Sequence, residues 1–153
     1  MGWRINDTAS AWATQPDGTK RLKITLKGSG TFSPWQPEDV TGGGEYEIAN
    51  VGGDVVENGE YEVTALLSYQ QSPGANPVTP GTVLPLLTNA VELRAGLAVL
   101  RVIFSDSKLG TLTVSCNRSP QTPEMFEGMV VSKGFVMFAT PELGPTLFAL
   151  LSN

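Results

Sequence analysis

The chain has 153 residues, 41 % apolar and only 16 % charged, with 17 glycines and 11 prolines; that is enough for one hydrophobic core and asks for many turns, not for disorder. The net charge is −5, from 15 acidic and 10 basic residues with no block of like charge, which argues against nucleic acid or an anionic membrane as partner. Histidine is absent and Cys116 is the single cysteine, so histidine-dependent triads, histidine or cysteine metal sites and an intramolecular disulfide are all excluded.

The N-terminus, MGWRINDTASAWA, lacks the apolar core of a signal peptide, and no run approaches the ~18 apolar residues of a membrane-spanning helix. With the lone cysteine, this leads to the expectation of a cytoplasmic protein.

Residues 1–19 read as an N-terminal arm, pinned by Trp3, Ile5 and Trp12 and ended by the turn signal Pro16-Asp17-Gly18. Lys20–Lys27 alternates: Leu22, Ile24 and Leu26 on one face, Arg21, Lys23, Thr25 and Lys27 on the other. That is a strand with one wet face. Gly28-Ser29-Gly30 allows a bend before Thr31-Phe32, and Ser33–Gly44 reads as a loop.

A short echo follows. Gly44-Glu45-Tyr46-Glu47-Ile48 recurs as Gly59-Glu60-Tyr61-Glu62-Val63. Two similar strands are expected, with tyrosine and aliphatic side chains inward and glutamates outward. Asn58-Gly59 reads as a hairpin turn. The second copy extends to Tyr69, with Tyr61, Val63, Ala65, Leu67 and Tyr69 on one face.

Gln70–Pro85, with four prolines, reads as a long surface loop, and Leu84, Leu87 and Val91 suit one or two helical turns. Three strand-forming runs follow: Leu97–Phe104, Thr111–Cys116 and Met129–Phe138. Separated by Ser105–Gly110 and Asn117–Pro123, they predict an antiparallel meander. The apolar C-terminal segment, residues 141–153, contains Thr146–Leu151. It is expected to dock on the body, or to meet another subunit through Leu147, Phe148, Leu150 and Leu151.

The fold expected is all-β: a single antiparallel β-barrel, or β-sandwich, of about seven to eight strands with at most one or two short helical segments, all in one domain. The Gly-rich strand starts (GSGTF, GGGEY) and the interrupted late strand (FEGMVVSKGFVMF) are similar to those of small antiparallel barrels of the dirigent and allene-oxide-cyclase kind. That resemblance implies a barrel and no activity.

The informative positions are charges that alternation forces into apolar company. Arg101 lies between Val99 and Ile103; Lys133 shares a face with Glu127, Met129, Val131, Phe135 and Met137. On an inward face, Arg101, Lys133 and Glu127 would form a polar cluster in an apolar pocket, with Tyr61 and Tyr69 as further ligand contacts. Arg101 would grip a carboxylate, and desolvation would push Lys133 toward neutrality. On an outward face both cations are simply solvated. Cys116, in phase with Leu112 and Val114, reads as a small buried hydrophobe. Glu45, Glu47, Glu60 and Glu62 read as a solvated face. No catalytic residue, cofactor or metal is assigned.

The function expected is binding of a small apolar or carboxylated molecule inside a barrel, or a cofactor-independent isomerase or cyclase built on such a pocket. The alternative is a structural or interaction protein that self-associates through apolar β surfaces and the C-terminal segment.

Overall fold

Alternating apolar and polar residues build strands almost from the first residue. The structure, a computed structural model, describes residues 1–77, 89–117 and 124–152. Among these there is no helix, and none long and apolar enough to cross a membrane. The strands are β1 (Gly2–Thr14), β2 (Lys20–Ser33), β3 (Gln36–Asn50), β4 (Val55–Pro77), β5 (Ala90–Phe104), β6 (Leu109–Cys116), β7 (Gly128–Lys133), β8 (Val136–Phe138), β9 (Thr140–Leu143) and β10 (Thr146–Leu151). All pairings are antiparallel.

The C-terminal segment closes the sheet. β10 pairs with β1 along Gly2–Ile5 and with β5 along Ala90–Arg94. Strands β1 to β5 and β10 thus form a ring of hydrogen bonds, which removes the sheet edges there. Past Gly96, β6 takes over the same side of β5 and leads on to β7 and β8, while β9 lies along β1 at Ser10–Trp12.

The inner face is filled by side chains from nearly every strand, among them Trp3, Ile24, Leu26, Tyr46, Leu100, Phe104, Leu112, Met129 and Phe148. Burying a large apolar side chain stabilises by about 1.5–3 kcal/mol, so this filling is a main source of stability. Leu147 and Ala149, on the other side of β10, form a second small cluster with Ala90, Leu93 and Leu151.

Several local expectations are corrected. The N-terminal arm, in which Trp3, Ile5 and Trp12 are buried as expected, is strand for most of its length: β1 is paired along both sides. Ser33–Gly44 is no loop, because β2 and β3 form a hairpin turning at Pro34-Trp35. Pro37 fits because the register shifts there, leaving 37–39 without ladder partners. Gly44 packs against the Lys27 carbonyl and Gly28, where any Cβ would collide with backbone.

The echoed strands do pair, with Tyr46, Ile48, Tyr61 and Val63 buried and Glu45, Glu47, Glu60 and Glu62 exposed. Their turn is not Asn58-Gly59. It is at 51–54, where Asn50 accepts from the Asp54 and Gly53 amides and Gly53 has φ +87°. Gly59 lies in β4 opposite Tyr46 and leaves room for its ring.

β4 runs to Pro77, so half of the expected surface loop is strand; the remainder, with Leu84 and Leu87, lies outside the described residues. Val91 is in β5. Two bulges in β4, at Val63/Ala65 and Leu66/Ser68, turn Leu66 inward and leave Leu67 47 % exposed. The run Met129–Phe138 is divided by a hairpin at Gly134, φ +59°, so Phe135 and Met137 leave the inner face and are 98 % and 53 % exposed.

Candidate functional site

Strand phase decides where each charged side chain points. On β5, Ala98, Leu100, Val102 and Phe104 are buried. Arg101 is in the opposite phase and exposed on the outer wall. Lys133 follows Met129 and Val131 in phase and is buried. The two cations are therefore on opposite sides of the sheet. Glu127 is elsewhere again: it accepts from the Asn117 amide (2.5 Å), the Thr146 amide (2.7 Å) and the Thr146 hydroxyl (3.2 Å), tying the start of β10 to the end of β6. Tyr61 is buried and donates to the Lys27 carbonyl at 3.1 Å. Cys116 is buried, its thiol 3.4 Å from the Thr146 carbonyl.

Lys133 plugs one end of the barrel. Its Nζ lies 2.5 Å from Glu57 Oε1 and 2.5 Å from Asp106 Oδ2. It also sits 5.4 Å from the Tyr46 ring centre and 5.2 Å from that of Phe104, and the Tyr46 hydroxyl donates to Glu57 at 2.9 Å. Desolvation pulls the Lys133 pKa down, but the hydrogen bonds to Asp106 and Glu57 outweigh it and the net direction is up. Asp106 is held low, first by its hydrogen bond from Lys133. The expected drift of Lys133 toward neutrality is thus reversed. The charge of this buried cation is met within the chain by two carboxylates and two rings.

The opposite end is different. Phe148 on β10 is fully buried and has Trp3 directly across on β1 and Arg94 directly across on β5. Directly opposed residues share a face, so Trp3, Phe148 and Arg94 form one inward row. Phe32, Tyr69 and Phe148 pack ring on ring at 5.0, 5.6 and 6.1 Å. Arg94 forms an ion pair with Glu92, two residues away in the same phase, and their side chains are 23 % and 26 % exposed. Burial pushes the Tyr69 phenol up to about 12, with the Arg94 charge opposing.

Among the described residues, three donors in this region, Trp3 Nε1, Tyr69 Oη and Arg94 Nε, and one acceptor, Glu92 Oε1, are buried without a hydrogen bond. Unmet buried donors are costly, and each calls for an explanation. The Trp12 indole, at the Lys133 end, is a different case, because the Glu142 carboxylate beside it is held below the usual range by that contact.

Tyr69 is thus the one expected ligand contact that stands in this group. The strand-forming run Leu97–Phe104 stops short of Arg94 and Glu92. Carrying the alternation of Leu100, Ala98 and Gly96 back through Arg94 and Glu92 finds both.

The outer wall holds an open depression of about 560 Å³, lined by Thr25, Lys27, Glu45, Glu47, Asn58 and Glu60 among others. Its charges are solvated, with Lys27 and Glu45 paired at 2.5 Å and each more than half exposed. Among the described residues no group of three or more acidic, cysteine or histidine side chains could hold a metal. Comparison with known proteins returns no protein-family model, no curated protein and no solved structure that matches this chain.

Proposed function

We propose that this protein is a small-molecule-binding β-barrel whose ligand enters at the Trp3–Phe148–Arg94 end. The observation that carries the reading is the group of three buried donors and one buried acceptor without hydrogen bonds among the described residues, beside an aromatic wall. Such a wall with a few convergent polar groups is the usual make-up of a small-ligand site. Tyr69, Arg94 and Glu92 are only partly buried as residues, but their unmatched atoms are out of solvent contact, so ligand entry requires these side chains to shift. A cytoplasmic setting belongs to this reading. Turnover of the isomerase or cyclase type would need only shape and placed hydrogen bonds here.

The test uses the indole N–H resonances of the protein purified from its own host, recorded before and after complete unfolding and refolding in clean buffer. Ligand loss shifts the Trp3 signal and leaves those of Trp12 and Trp35 in place. An unchanged Trp3 signal means that water alone serves these donors, and the reading fails.

A second reading is self-association. Leu147 and Phe148 are buried within the chain, which leaves Leu150, 40 % exposed, as the C-terminal contact. Phe135, Leu109 and Met137 are more exposed, at 98 %, 59 % and 53 %, and favour a second copy seated on the β6–β8 side. Phe135→Ser should then reduce the mass measured by sedimentation; an unchanged monomer mass in both proteins removes this reading.

A further inference from the structure

We infer that the ligand of this end of the barrel is an uncharged molecule that presents a carbonyl-type acceptor on a flat apolar body, and not a carboxylate. The inference rests on the binding reading above and narrows it.

An arginine near a binding site ordinarily suggests an anionic ligand. Here the guanidinium already has a carboxylate: Glu92 is paired with it in the same strand phase. The Arg94–Glu92 pair therefore brings no net charge. A ligand carboxylate would add a second negative group beside Glu92, with partial burial weakening the screening by water.

Unmatched donors outnumber unmatched acceptors here, three to one: among the described residues only Glu92 Oε1 is a buried side-chain acceptor without a hydrogen bond, and it already faces the Arg94 guanidinium. Arg94 Nε and Tyr69 Oη are donors at the margin of the core, and Trp3 Nε1 is a donor deeper in it. None carries a lone pair in need of a partner except the phenol, which burial keeps protonated and so able to donate. A carbonyl oxygen accepts two hydrogen bonds and carries no charge. The Tyr69 ring, packed on Phe32 and Phe148 and alone of the three partly exposed, supplies an apolar surface for a planar body. A site built to donate hydrogen bonds rejects analogues that lack the acceptor, because its own buried groups are then left unmet.

Three naphthalenes of similar size test this: 2-acetonaphthone, 2-naphthoate and 2-methylnaphthalene, titrated into the ligand-free protein with the Trp3 indole and Tyr69 ring resonances as readout. The ketone is expected to bind at least about tenfold more tightly than either of the others. Glu92→Gln is expected to raise the affinity for naphthoate relative to that for the ketone by about tenfold. The wild-type comparison stands by itself if that variant does not fold. Naphthoate binding as tightly as the ketone in the wild type overturns the inference and leaves the binding reading intact. So does methylnaphthalene matching the ketone. If none of the three moves either resonance, both the inference and the binding reading are lost.

Discussion

Arg94 lies directly across the β5–β10 ladder from Phe148 and shares its inward face, whereas Arg101 on the same strand points out from the opposite phase. One strand thus carries two arginines with opposite fates. Along a strand without a bulge, as β5 is between them, an odd separation places two side chains on opposite faces. Replacing Arg101 with Met should therefore leave fold and ligand affinity as they are, with stability within about 0.5 kcal/mol. Urea unfolding and the naphthalene titration check both parts.

The Lys133 lock should be costly to break. Lys133→Met removes the cation that Glu57 and Asp106 share and leaves Tyr46 bonded to a carboxylate without its counter-charge. Because both carboxylates retain some solvent contact, the expected loss is about 1.5–3 kcal/mol, as for hydrogen bonds to charged groups, and not the larger figure for a fully buried ion. The midpoint of urea unfolding measures it. A midpoint equal to that of the wild type would mean that the cluster is solvated in solution.

All three tyrosines have raised phenol pKa values: Tyr46 and Tyr61 through burial foremost, Tyr69 to about 12 for the same reason. A raised phenol binds its proton more tightly in the folded state. Its stabilising contribution is complete below the unfolded value near 10 and is lost as pH rises toward 12. Absorbance of tyrosinate should therefore stay low at pH 10 and appear together with unfolding. Half-ionisation of a tyrosine at pH 10 with the far-ultraviolet signal intact would contradict the burial described. On the acid side, Asp106 and Glu142 are held low. Their contribution is present above the ordinary carboxylate range near 4 and is lost as pH falls through their depressed values. Asp106→Asn should flatten that acid limb.

Much of the wall was legible in the sequence. Lys20–Lys27 and the two Glu-Tyr-Glu copies alternate so regularly that their apolar sets could be read off, and the structure buries Ile24, Leu26, Tyr46 and Tyr61 accordingly, whereas the alternation of Leu97–Phe104 left open which face points inward. Bulges were not legible: nothing in Val63–Ser68 announces the two slips that turn Leu67 outward, since any residue type can occupy a bulge. Gly134 has a visible reason to turn the chain, but Gly44 and Gly59 look the same in sequence and lie inside strands, held there by close approach and not by a turn. The site suffered most. Its key row joins β1, β10 and β5, and pairing between segments so far apart in the chain is set by ring closure and not by local pattern.

Ring closure makes its own prediction. Removal of residues 146–153 should abolish cooperative folding, because it opens the barrel between β1 and β5 and deletes Phe148. Phe148→Ala alone should cost about 3–5 kcal/mol. Leu150→Ser, at a position 40 % exposed, should be close to neutral. Thermal melts of the three proteins separate these effects. A truncated chain that melts like the full one would show that β10 is an accessory.

The central claim is that the Arg94 end, and not the Arg101 wall, holds a small molecule. Native mass spectrometry of the protein purified from its own host tests it, with three samples side by side: wild type, Arg101→Met, and Arg94→Met combined with Glu92→Gln so that no charge is stranded. The account predicts one small-molecule mass released from the first two and absent from the third, with equal circular dichroism in all. Retention of that molecule by the double variant, or its loss from Arg101→Met, would place the ligand elsewhere, and an empty wild type would contradict the claim outright.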